Sequence, residues 1–273
     1  MTGTGDGFEA LQFTHVDEAA DPSLHLDYLK TISTVPGMRP YKLLSFDLLN
    51  ARDGDTVLDV GCGIGEDLPK LGELVGPRGG VVGIDSSKTM IEEAKARMSG
   101  LPVRCLQMDA LHLDFPDRHF DAVRSDRVLP YLTEPARALR EMVRVVRPGG
   151  TVVVASTDWG SLVVPGNNRT VTRSILDLRC DRVVHGWLAR RFPAMLKRSG
   201  MEDIQVRASA ILVPDLETAD LLFGLTSATR DAAEAGAISS ADADRWLSDL
   251  ERETAQGTFL STITGIVAAG RRP

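Results

Sequence analysis

The sequence predicts an α/β fold built on a parallel sheet with helices on both faces. Three observations carry that prediction. Short apolar runs alternate with helix-spaced segments from residue 56 to residue 157. The stretch TVVVAST (151–157) is almost wholly apolar, as a parallel strand buried on both faces is. The run VLDVGCGIGED (57–67) puts Gly61, Gly63 and Gly65 directly after a short apolar strand, where the chain turns into a helix.

The elements follow in order. Residues 1 to about 20 are rich in Gly and acids and read as frayed. Residues 23–51 show helical spacing interrupted by Pro36-Gly37 and Pro40, so two short helices are expected. Strand TVLDV (56–60) leads into a helix with Leu68, Leu71, Leu74 and Val75 on one face, and Pro69 sits harmlessly in its first turn. Strand GVVGID (80–85) precedes a helix carrying Met90, Ile91, Ala94 and Met98, with Ser86 or Ser87 as N-cap. Strands VRCLQMD (103–109) and FDAVRS (120–125) come next. Thr133 is expected to cap a helix that packs Leu139, Met142, Val143 and Val146 inward and stops at Pro148-Gly149-Gly150.

Beyond Asp158 the alternation is lost. Residues 160–200 read as lid helices, and a helical stretch over 216–255 separates two late strands, 204–213 and 259–270. No repeat or low-complexity linker divides the chain. One domain is expected, with a helical cap (1–52), a cofactor-binding core (53–158), a lid insertion (159–200) and a C-terminal completion of the sheet (201–273).

Composition narrows the partners. Hydrophobic residues at 43% supply a core, and 31 Lys and Arg against 38 Asp and Glu give a net charge of −7, which does not favour a nucleic-acid partner. Cys62, Cys105 and Cys180 are an odd number without a CxxC pair and read as buried free thiols; no metal site is expected. The first residues do not resemble a signal peptide, and no window approaches eighteen apolar residues. A cytoplasmic monomer or homodimer acting on a small-molecule substrate, with no membrane partner, is expected.

Ligands of such sheets bind outside the carboxyl ends of the strands, so the glycine turn is the expected site. Two cofactors compete for it. A dinucleotide takes G-x-G-x-x-G against its pyrophosphate. Here the third glycine comes one residue early, at Gly65, and Asp59 stands two residues before Gly61. A carboxylate attracts a cation instead, and S-adenosylmethionine carries a sulfonium and an ammonium. Asp85, ending the second strand, suits a ribose diol, although it also suits a helix cap. Asp109-Ala110, ending the third, can accept from an adenine amino group, with Leu111 and Met90 flanking the ring. Three acids at three successive strand ends form a constellation that chance rarely assembles.

Taken in order, VLDVGCGIGED, VVGIDSSKTMIEEAKAR, QMDALHLDFPDRHFD, FDAVRSDRVLPYL and ALREMVRVVRPGGTVVV resemble the class I S-adenosylmethionine-dependent methyltransferases over about residues 40–157. The resemblance is greatest to the branch of ubiquinone/menaquinone-biosynthesis and natural-product tailoring enzymes. It implies a Rossmann-like sheet in the order 3-2-1-4-5-7-6 with strand 7 antiparallel. It also implies Gly61 and Gly63 against the methionine and ribose, with Cys62 and Ser86 in the same turns. Asp85 would hold the ribose, Met90 the adenine face, Asp109 and Ala110 the adenine edge. Arg124 or Ser125 would line the methionine end, and Tyr28 and Arg39 would close over the cofactor.

The implied activity is methyl transfer to a small lipophilic biosynthetic intermediate. A non-methylating cyclisation or rearrangement on the same fold stays open, and a nicotinamide-dependent oxidoreductase is disfavoured by the glycine spacing. Many relatives carry a His in a V-L-x-H context, where this chain has Val128-Leu129-Pro130-Tyr131, so no catalytic His is carried over. Asp126, Asp158 and His185 stand as candidate bases by position, and Asp158 reads equally as a turn-forming residue. The basic run across 160–200 reads as a solvated face, with a guide for an anionic substrate as the alternative. Leu162, Ile175, Leu188, Phe192, Leu222 and Phe223 offer apolar lining for a substrate.

Overall fold

The computed structural model describes Phe13, residues 16–19, Asp21 and residues 23–273. Most of the stretch expected to fray, and His15, lie outside the described residues. Helices α1 (Ser23–Thr34) and α2 (Met38–Leu49) open the fold. Only Val35-Pro36-Gly37 separates them, because Pro40 falls in the first turn of α2, where the missing N–H has no helical partner to lose. The alternating core follows as β1 (Thr56–Val60), α3 (Leu68–Val75), β2 (Gly80–Asp85), α4 (Lys88–Arg97), β3 (Val103–Gln107), β4 (Phe120–Asp126), α5 (Pro135–Val145) and β5 (Val146–Val163). The chain then adds α6 (Arg169–Asp181), α7 (Phe192–Arg198), β6 (Glu202–Val213), α8 (Leu216–Phe223), α9 (Leu225–Glu234), α10 (Ser240–Ala255) and β7 (Ser261–Arg271).

The strands form one seven-stranded sheet in the order β3-β2-β1-β4-β5-β7-β6, with β1 to β5 parallel and β7 antiparallel to both neighbours. This is the expected order. Strand alternation sorts side chains between two cores. Val152 and Val154 join Leu139, Met142, Phe192 and Leu196 on one face; Val153 and Ala155 join Tyr41, Phe46 and Ile175 on the other. Each such side chain stabilises the fold by about 1.5–3 kcal/mol when fully buried. The same alternation places Asp59 on the α2 face of β1, between Leu58 and Val60, which face the opposite core. The three cysteines are free and buried, as expected.

Several expectations are corrected. β5 outgrows TVVVAST at both ends: at its start Val146 pairs with Phe120 of β4, and at its end β7 pairs with it as far as Val163, across a register shift after Asp158. Residues 160–163, expected in a lid, therefore belong to the sheet. β3 stops at Gln107, so Asp109 lies in the loop beyond it. Thr133 does not cap α5: Glu134 holds that position without a side-chain bond, and Pro135 presets the first turn. α6 and α7 pack on opposite faces of the sheet, Ile175 and Leu176 in one core, Phe192 and Leu196 in the other. The stretch 216–255 is three helices, with Gly224 in the left-handed conformation between α8 and α9. Among the described residues no helix is long and apolar enough to cross a membrane, and no cluster of His, Cys, Asp or Glu could hold a metal ion.

Candidate active site

A cavity of about 390 Å³ runs along the carboxyl ends of β1 to β4, within the range of ligand pockets. Gly61, Cys62 and Gly63 line it after β1, Asp85 and Ser86 after β2, Asp109 and Ala110 beyond β3. Met90 enters from α4, and Tyr28 and Arg39 from α1 and α2. The structure thus brings most of the sequence-expected residues to one hollow.

The glycines divide their work. Gly61 has φ +76°, and a Cβ there would sit 2.1 Å from Val128 Cγ2, so both backbone and space exclude a side chain. Gly65 does not line the cavity; its Cα faces Leu68 and Ala94 at 3.2 and 3.4 Å from a built Cβ, which makes it a helix-packing residue.

Asp85 is held on both oxygens. The Gly63 amide donates to Oδ2 and the Ser87 amide to Oδ1, each at 3.0 Å. The helix cap is Ser87 itself, whose Oγ accepts the Met90 amide at 3.2 Å. Burial raises the Asp85 carboxyl, and the two amides oppose that rise. A second acid, Asp17, reaches the same helix end, accepting from Ser87 Oγ at 2.7 Å and from the Lys88 and Thr89 amides. Burial works against its charge, but these donors win and lower Asp17 to about 2.

Under the methionine end expected from sequence lies a buried charge cluster. Arg124, 1% exposed, donates Nη1 to Asp59 at 2.8 Å and Nη2 to Asp67 at 2.8 Å and to Asp126 at 3.1 Å, with Nε to Ser45 Oγ at 3.0 Å. Lys42 pairs with Asp126 at 2.9 Å and with Asp67, and the Tyr41 hydroxyl donates to Asp126. Asp59 and Arg124 are direct cross-strand partners, which explains the pairing. Three carboxylates against two cations leave one acid in formal excess. Burial would raise Asp126, but Lys42 and Arg124 outweigh it and hold it below the ordinary carboxylate range; Asp67 is lowered for the same reason. Burial raises Asp59, with Arg124 opposing.

Residues 58–154 match the family model described as a methyltransferase domain. The chain is 31% identical over 144 residues to the demethylmenaquinone methyltransferase of Desulfitobacterium hafniense, covering 51% of this chain and 56% of that one. Residues 58–154 are a class I S-adenosylmethionine-dependent methyltransferase domain. Identity to the ubiquinone/menaquinone biosynthesis C-methyltransferase UbiE of Pseudomonas savastanoi is 38% over 120 residues, 42% of this chain and 47% of that one. The match therefore spans about half the length of these two relatives. A protein of transposon TN4556 from Streptomyces fradiae is 36% identical over 251 residues, 91% of this chain and 71% of that one. Among solved structures, YcgJ of Bacillus subtilis superposes with a TM-score of 0.59 at 18% identity, over 86% of this chain and 98% of that one. The [4+2]-cyclase SpnF gives 0.53 at 21%, over 86% and 81%. Both likenesses are of fold.

S-adenosylmethionine is the cofactor of this family member, and the residues fit it. The glycine floor admits close backbone approach, Met90 and Ala110 offer apolar contact, and the excess acid by β4 suits a cation.

Other expected residues are placed differently. Ser125 faces away from Arg124 by strand alternation and donates to the Val60 carbonyl at 3.0 Å, outside the cavity. Leu111 packs toward the opposite core, its amide tied to Asp109 Oδ1 at 2.8 Å. Asp158 does not line the cavity; Arg190 holds it at 2.8 Å. His185 is also outside, its amide bonded to the Pro130 carbonyl. No described residue from 160–200 lines the cavity. Of the apolar lining expected there, Leu222 and Phe223 reach an adjoining small chamber, while Leu162, Ile175 and Phe192 are core and Leu188 packs against it. The basic run is only partly a solvated face. Arg173 pairs with Asp177 on the surface, but Arg179 is buried with its guanidinium 4.3 Å from the Trp159 ring.

Lys42, Asp67, Tyr41 and Arg127 were not singled out from the sequence. Asp67 closes VLDVGCGIGED itself, and Tyr41-Lys42 are polar residues beside Leu43-Leu44, which was the available signal.

Proposed function

We propose that this chain transfers a methyl group from S-adenosylmethionine to a small lipophilic biosynthetic intermediate. The observation that carries the reading is the course of the cavity, which crosses four strand ends and continues to the apolar side chains of Ile32 and Met38 beside Tyr28 and Tyr131. In this reading Gly61, Cys62 and Gly63 lie along the methionine and ribose, and Asp85 accepts from the ribose hydroxyls. Ser86, Met90, Asp109 and Ala110 bound the adenine, and Tyr28 and Arg39 close the entrance. The demethylmenaquinone methyltransferase and UbiE, quinone-biosynthesis enzymes to which the chain is similar, support an acceptor with a lipophilic body. We place the chain in the cytoplasm, without a nucleic-acid partner and as a monomer or homodimer.

When bound, the cofactor supplies a methyl on positive sulfur, which an in-line nucleophile takes as the C–S bond breaks and its electron pair returns to sulfur. The chain's part is alignment and exclusion of water, which together can supply roughly 7–11 kcal/mol. Asp126 is poorly placed to serve as a general base, since Lys42, Arg124 and the Tyr41 hydroxyl engage its oxygens. Its carboxylate contributes counter-charge at the sulfonium end instead.

The test is incubation with methyl-labelled S-adenosylmethionine and a panel of alkylated phenols and naphthoquinols, followed by mass spectrometry. The expected products are one labelled methyl in an acceptor and an equal amount of S-adenosylhomocysteine. Conversion of an acceptor without mass gain, with the cofactor intact, overturns the reading in favour of a rearrangement.

A further inference from the structure

Among the described residues, one half-buried cation of the cavity has no side-chain partner. Four cationic side chains line it among the described residues: Arg39, Lys42, Arg124 and Arg127. Lys42 and Arg124 are occupied by Asp59, Asp67 and Asp126. Arg39 is exposed. Arg127 differs from all three. Its Nε is buried without a hydrogen-bond partner, and it forms no ion pair among the described residues, although the Asp126 charge acts on it through space. A buried donor left unbonded is costly and calls for an acceptor from outside the chain.

Its position is fixed by the backbone. Arg127 follows β4 in the left-handed conformation, φ +59°, with its amide donating to the Ala155 carbonyl at 2.8 Å. A long-chain residue is seldom found there, and such backbone gathers at functional sites. Arg127 also stands at a junction. Together with Tyr28, Met38 and Tyr131 it lines both the main cavity and a chamber of about 20 Å³ whose far wall is Trp159 and Phe223. This is the end of the cavity farthest in the sheet from the expected adenine pocket at β3, and its walls are apolar and aromatic.

We infer that Arg127 selects the methyl acceptor by pairing with an anionic oxygen on it, the acceptor's apolar body resting against Tyr28, Met38 and Tyr131. The acceptor class is thus a lipophilic acid: a carboxylate, phenolate or enolate. Arginine is suited to the task, since its planar donor fork matches a carboxylate and it keeps its charge at all working pH values. An acceptor held as its anion has no proton to surrender, which accords with the absence of a competent base among the candidates above. The inference rests on the reading of this cavity as the cofactor and acceptor site.

The test uses two probes of the same shape, 1-naphthoate and 1-naphthamide, titrated calorimetrically into protein saturated with S-adenosylhomocysteine. Wild-type protein is expected to bind the acid at least about tenfold more tightly than the amide. Arg127→Asn, which removes the charge while tolerating left-handed backbone, is expected to abolish that preference. Arg127→Lys should retain part of it, and affinity for S-adenosylhomocysteine should stay within about twofold in both variants. Equal affinity of the two probes for wild type overturns the inference, as does a preference that survives Arg127→Asn. A tenfold loss of S-adenosylhomocysteine in Arg127→Asn also overturns it, because Arg127 would then serve the cofactor's own carboxylate. If wild type binds no S-adenosylhomocysteine, the functional proposal fails, and the same probes titrated into protein alone still report on Arg127.

Discussion

Arg124→Met is expected to cost about 3–5 kcal/mol of folding stability, lowering Tm by roughly 6–20 °C. The side chain is 1% exposed and bonds three carboxylates that the fold has withdrawn from water. Met fills similar volume, so the loss reports the uncompensated acids rather than a cavity. The pH dependence distinguishes this cause from poor packing. In wild type, Asp67 and Asp126 are held below the ordinary carboxylate value, so their contribution is complete at neutral pH and is lost only below about pH 4. Without Arg124 the Asp59 carboxyl, which burial already raises, loses its main opposing partner and rises further, while Lys42 still holds Asp67 and Asp126. Acids raised in this way destabilise at high pH, and the penalty is relieved as pH falls through the raised values. Scanning calorimetry should therefore show a deficit that is largest near pH 8 and narrows towards pH 5. A variant within about 2 °C of wild type at pH 8 would show that the cluster bears no such strain.

Asp85→Ala should weaken S-adenosylmethionine binding by between about 10- and 150-fold, the range for hydrogen bonds to a charged group. The same change should leave the fold nearly intact, because Asp85 accepts backbone amides at the cavity edge, while Ser87 caps α4. Asp85→Asn should fall between the two, keeping one acceptor and losing the charge. Titration calorimetry reads the affinity, and circular dichroism confirms the fold. An affinity loss accompanied by unfolding would mean that Asp85 acts through the Gly63 turn rather than on the ribose.

Much of this was legible because it is local. Strands 56–60 and 80–85 are bounded as expected, since apolar runs and glycine turns mark their own ends. The sheet order came from the resemblance and not from periodicity, which cannot order strands. What escaped depends on contacts between distant segments. Asp59 was read as free to face a cationic ligand; its pairing with Arg124 requires knowing that β1 and β4 are adjacent and in that register. Lys42 meets Asp126 only because α2 lies over β4. Ser125 and Arg124 were interchangeable in sequence, but alternation sends only one of them to the α2 face. Asp158 stood at the right strand end, yet its partner Arg190 comes from beyond α6, where sequence spacing offers no guide. Arg127 had no signal beyond its place after β4, since a left-handed arginine looks like any other arginine in sequence.

The most direct measurement is a pair of calorimetric titrations of the intact chain, one with S-adenosylmethionine and one with NADH. A seat made of bare glycine backbone and strand-end carboxylates should take up the sulfonium nucleoside saturably, with about one site per chain, and show no heat for the anionic dinucleotide. Saturable uptake of NADH with none of S-adenosylmethionine would contradict the assignment of the cavity outright.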